Sequence, residues 1–86
     1  MATVEERVKA VTARILKIDR RQIKPQHSFT VDLGASSVQS VELVASFEEE
    51  FGIEMEEDAA LSVQSIGAAV EFITGMCMEQ GVDIEE

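Results

Sequence analysis

The 86-residue chain is predicted to be all-α: a small four-helix bundle of three main helices and one short one, with a long loop after the first. Three observations predict it. Apolar residues recur at spacings of three and four in three separate stretches. Those stretches open on Ser or Thr, which suit helix N-caps. The period-two, β-branched alternation of strands is missing. The length fits one domain, residues 1–86, folded over about 1–77 and ending in an acidic tail at 78–86.

Val4, Val8, Val11 and Ile15, with Leu16, mark one face of the first helix. Thr3 is its expected N-cap, and Glu5 and Glu6 sit where the helix dipole favours acids. Residues 18–36 read as a loop, broken by Pro25 in "KPQHSF". A loop that long needs pins, and Ile23, Phe29, Val31 and Leu33 are the candidates. The second helix begins near Ser36 or Ser37 and runs to about Phe51. Leu43, Val44, Phe47 and Phe51 form its inward face, and Gly52 ends it. "IEMEEDAALSVQS" is a connection with one short helical turn near residues 57–61. Ser65 caps the last helix, which packs through Ala69, Val70, Phe72, Ile73 and Met76. Gly75 and Gly81 weaken its end, so "EQGVDIEE" reads as frayed.

Charge excludes several functions. The chain holds 17 acids and 7 bases, a net of −10. Residues 1–24 contain all seven bases and three acids, a net of +4; residues 25–86 contain fourteen acids and neither Lys nor Arg, a net of −14. Such a surface repels nucleic acid and anionic lipid; it either serves only to keep the protein soluble or steers it toward basic protein patches. No apolar run reaches the roughly 20 residues of a membrane span. The N-terminus lacks a signal-peptide pattern, which points to the cytoplasm, or to an organelle after loss of a transit segment. The single cysteine, Cys77, cannot form an internal disulfide and reads as helix-end packing.

"GASSV" lacks the second glycine and the preceding strand of a hydrolase nucleophile elbow, and His27 is the only histidine available as a base. One Cys and one His cannot build a structural zinc site, and no calcium-loop pattern accompanies the acids at 54–58, so no metal site is expected. The twin serines divide their roles. Ser36 with Gln39 fits a capping box. Ser37 then stands at the first helical position with its hydroxyl exposed. A phosphate ester there would meet free backbone N–H groups and the positive end of the dipole. Val38, Val41 and Ala45 form a second, outward apolar set on this helix, flanked by Glu42, Glu48 and Glu49.

"DLGASSVQSVELVASFEEEFGIEM" closely resembles the prosthetic-group segment of acyl carrier proteins, whose usual form is D-L-G-A-D-S-L, then x-x-V-E-L-V and an E-E-E-F run. "VEERVKAV", "SFTVDLG" and "SIGAAVEFI" resemble that family's first helix, loop and last helix. The resemblance implies a monomeric, non-enzymatic carrier. It implies covalent 4′-phosphopantetheine on Ser37, installed by a phosphopantetheinyl transferase, with acyl groups held as thioesters for enzymes of fatty acid or related lipid and polyketide synthesis. Val38, Val41, Glu42, Ala45, Glu48 and Glu49 would dock basic patches on those enzymes. Phe29, Leu33, Leu43, Val44, Phe47, Met55, Val63, Ala69 and Ile73 are expected to line an acyl pocket, or simply to form core. Ser36 replaces the family's aspartate, Val38 its leucine, and Ala45 a larger residue; Glu56 stands where proline is common and Leu61 where a charge is common. A specialised carrier with dedicated partners and neutral drift both account for these departures. The alternative function is an acidic helical protein–protein adaptor of the same fold, working without the arm.

Overall fold

A computed structural model describes residues 3–82. Its helices are α1 (Val4–Leu16), α2 (Ser37–Phe51), α3 (Glu57–Leu61) and α4 (Ile66–Glu79). Among the described residues there is no strand, only an isolated antiparallel bridge between Ser28 and Ser65.

Each boundary has a local cause. The Thr3 hydroxyl accepts from Glu6 N, and the Glu6 carboxylate accepts from Thr3 N, closing a capping box at α1. Lys17 ends α1 in the left-handed region at φ 58. Gly52, at φ 66, ends α2 where a residue without Cβ is favoured. Ser65 Oγ accepts from Ala68 N at 3.1 Å and caps α4.

Arg7, near the start of α1, reaches Glu50 at the end of α2 with Nε 2.9 Å from Oε2. α1 therefore runs against α2. At the start of α4, Ile66 N donates to His27 O and Gly67 N to Pro25 O. The end of α4 meets the segment after α2 through Gln80 and Glu54. α2 and α4 thus run the same way, with α1 packed against both. Val8, Val11, Phe51, Ile66, Ile73 and Cys77 form the centre of the core. Thr12, fully buried, avoids an unmet hydroxyl by donating to Val8 O at 2.8 Å.

The long loop is more ordered than its sequence suggests. A 3₁₀ turn spans Arg20–Gln22, capped by Asp19, whose Oδ1 accepts from Arg21 N. Ile23 and Phe29 are buried pins, as expected. Val31 is not a pin: it is 84% exposed. Hydrogen bonds within 28–33 form a tight turn with Val31 on its outer side, where Val31 N donates to Ser28 Oγ. Ala35 is buried instead. The start of the tail is also corrected. α4 continues to Glu79, and half-buried Val82 donates its N–H to Cys77 O at 2.8 Å. The rest of the expected tail, 83–86, lies outside the described residues. No helix among the described residues is long and apolar enough to cross a membrane.

Candidate functional site: a serine at a helix start beside an apolar cavity

Ser36 and Ser37 occupy the two positions expected of them. Ser36 is the N-cap of α2: its Oγ accepts from Gln39 N at 3.1 Å, and Gln39 Oε1 accepts from Ser36 N at 3.0 Å. Ser37 is the first helical residue and is exposed. The first N–H groups of a helix have no intrahelical acceptor. The first turn of α2 also contains no acidic residue. An anion attached to the Ser37 hydroxyl therefore meets free donors and the positive helix end, without a carboxylate in that turn.

The preceding loop is built to present this turn. Asp32 Oδ2 accepts from Ser28 N at 2.7 Å, and Asp32 N and Leu33 N both donate to Ser28 O. Gly34, at φ 72, then turns the chain into the cap, and Ala35 N donates to Phe29 O. His27 is engaged elsewhere, its Nδ1 accepting from Lys24 N at 3.1 Å. No group of three or more metal-ligating side chains is found among the described residues.

A cavity of about 360 Å³ lies between α2 and α4, closed on one side by α3 and the segment after it. That volume is within the range of small-molecule sites. Phe29, Leu43, Val44, Phe47, Met55, Val63, Ala69 and Ile73, eight of the nine expected residues, line it. Leu33, the ninth, is half-buried and stands outside the lining. The rings of Phe29 and Phe47 meet edge to face, centroids 6.5 Å apart. Ser40 also lines the cavity. It stands three residues after Ser37 on α2, so the cavity wall begins one helical turn from that hydroxyl. Sequence reasoning missed the other eight lining residues, Ser40, Leu61 and Phe72 among them. Phe72 carried a signal, since it lies three residues after Ala69; Leu61 carried none, because its place depends on how α3 folds over.

The outward face of α2 is as expected for Val38, 71% exposed, and for Val41 and Ala45, also exposed. Glu42 and Glu49 are exposed beside them. Glu48 differs. It is half-buried, and its Oε2 accepts from Met55 N at 2.8 Å. Val31 and Leu61 add exposed apolar surface at the cavity rim.

A family model described as the phosphopantetheine attachment site matches residues 6–73. The acyl carrier protein of Sinorhizobium fredii is 47% identical over 73 residues, covering 85% of this chain and 94% of that protein. The acyl carrier protein AcpP of Rhizobium meliloti shows the same identity and coverage. With a prosthetic-group domain matched over most of its length, and a helix-start serine beside a cavity, the chain belongs to the acyl carrier protein family.

Proposed function

We propose that Ser37 carries the 4′-phosphopantetheine arm and that the protein, as a monomer, presents acyl groups to the enzymes of fatty acid or related lipid and polyketide synthesis. The observation that carries the reading is the exposed Ser37 hydroxyl at the start of α2, one turn from the cavity wall. When attached, the arm supplies a terminal thiol that holds an acyl group as a thioester. The chain's own residues do the rest. Ser36 fixes the first turn of α2, so the Ser37 oxygen faces solvent, where a phosphopantetheinyl transferase can reach it. The N–H groups at the start of that turn that the cap leaves free stabilise the phosphodiester.

Leu43, Phe47, Ala69 and Ile73 offer an apolar compartment that shields a hydrocarbon chain from water. Val38, Val41 and Ala45 set the register of docking, and Glu42 and Glu49 steer basic partners to it. Each contact is small, which suits a carrier that must leave every partner it visits. Catalysis belongs to those partners. The reading puts the protein in the cytoplasm, with its coenzyme A donor.

Intact-mass measurement after incubation with coenzyme A and a phosphopantetheinyl transferase tests it. Wild type and Ser36→Ala gain the mass of one arm, and Ser37→Ala gains none. A wild type that stays unmodified, with the fold intact, would favour the acidic adaptor.

A further inference from the structure

The 53–55 segment joins α2 to α3 and brings Met55 into the cavity wall. Its backbone is held from two sides. At the end of α4, Gln80 Oε1 accepts from Glu54 N at 2.9 Å, and Gln80 Nε2 donates to Glu54 O at 2.6 Å. One side-chain amide thereby satisfies both backbone groups of one residue, as a neighbouring strand would. Gln80 Nε2 also lies 3.7 Å from Met76 Sδ, which steadies the amide over α4. From α2, Glu48 Oε2 accepts from Met55 N at 2.8 Å, a hydrogen bond strengthened by the carboxylate charge.

The next element, α3, cannot hold itself in place. It has five residues, and its N-cap, Glu56, makes no side-chain hydrogen bond. So short a helix has little stability of its own. α3, whose Ala60 and Leu61 also line the cavity, packs against α2, and its position depends on that packing and on the segment before it. Glu48 and Gln80 sit outside the cavity lining, yet both hold the backbone that leads into this part of its wall.

We infer that Glu48 and Gln80 are positioning residues: they clasp the 53–55 segment and thereby set how tightly the cavity closes on its cargo. The inference rests on the proposed role of the cavity as the acyl compartment. It assigns Glu48 a duty in the cavity wall, and it gives Gln80, in a stretch that reads as a frayed tail, a defined one.

The test uses full-length protein carrying the arm, loaded with acyl groups from butanoyl to dodecanoyl. Two quantities are measured: the thermal midpoint of each load relative to the unloaded form, and hydrogen exchange at the Glu54 and Met55 amides. In wild type the midpoint rises with chain length. In Gln80→Ala the Glu54 amide, and in Glu48→Ala the Met55 amide, exchanges faster on the order of tenfold. In both variants the length-dependent rise falls to roughly half or less, because a looser wall gives up part of the contact that distinguishes the closed state. Glu48→Gln keeps an acceptor for Met55 N, though an uncharged one, and falls between Glu48→Ala and wild type. Gln80 is exposed and off α2, so its replacement neither opens the core nor alters the docking charges. A wild-type rise in both alanine variants, despite faster exchange, overturns the clasp alone. A flat series in wild type overturns the compartment and the clasp together.

Discussion

Ser36 and Ser37 are one backbone position apart, and that single step separates a structural hydroxyl from a functional one. The Ser36 side chain is committed to Gln39 N. Replacing it with Ala leaves that donor to water and should cost about 1 kcal/mol of folding stability. Urea denaturation of Ser36→Ala measures this; an unchanged midpoint would show that Gln39 alone organises the turn. Ser36→Asp keeps the acceptor and adds a charge that the helix dipole favours. It also sets a carboxylate beside the phosphodiester proposed on Ser37. The natural serine thus keeps the cap while lowering negative charge at the attachment point. Cys77 is a contrasting case at this scale. It is completely buried, and burial pushes its thiol above the ordinary value, with Arg7 opposing the shift in part. Such a thiol is a poor nucleophile. The cap was legible in the sequence because S-x-x-Q is a local pattern. The exposure of Val31 was not, because hydrophobicity alone does not say which side of a turn a residue takes.

Each helix takes its end-capping from wherever the fold can supply it. The last turn of α2 contains no basic residue to meet its carbonyls and the negative end of its dipole. Arg7 supplies one from α1, 43 residues away in sequence. Its Nε pairs with the Glu50 carboxylate at 2.9 Å, and its Nη2 donates to Glu50 O at 2.8 Å. Its guanidinium also lies 4.3 Å from the centre of the Phe51 ring. Lysine cannot make this forked and stacked contact. Arg7→Lys should therefore cost about 1 kcal/mol, and Arg7→Ala roughly 2 kcal/mol, the partial exposure of the pair limiting both. Thermal or urea unfolding checks the order; equal stability of the Arg7→Lys variant and wild type would remove the stacking from the account. The starts of α1, α2 and α4 and the end of α2 were legible, since Thr3, Ser36, Ser65 and Gly52 act within a turn of their own positions. The Arg7 clamp and the Gln80 clasp were not. Pairings across 43 and 26 residues leave no periodic trace in a sequence.

For the whole molecule, one uneven charge distribution governs both stability and partnership. After Lys24 the sequence holds fourteen acids and neither Lys nor Arg. The three ion pairs among the described residues engage only Glu5, Asp19 and Glu50. The remaining carboxylates repel one another, and that repulsion opposes the compact state. Added salt should therefore stabilise the fold, since screening relieves many repulsions and weakens only three surface attractions. The same salt should slow transfer to basic partner enzymes, because steering between opposite charges is screened. Glu42→Lys and Glu49→Lys separate the two effects. Each should lower the transfer rate at low salt and flatten its salt dependence, while the melting temperature holds or rises through reduced repulsion. Glu48→Lys should also slow transfer, but with a lower melting temperature, because it removes the acceptor for Met55 N as well as the charge. Transfer kinetics and thermal melts between low and moderate ionic strength decide the matter. If Glu48→Lys matched Glu42→Lys in both measurements, Glu48 would be a docking charge only, and the hydrogen bond to Met55 would have no part in holding the fold.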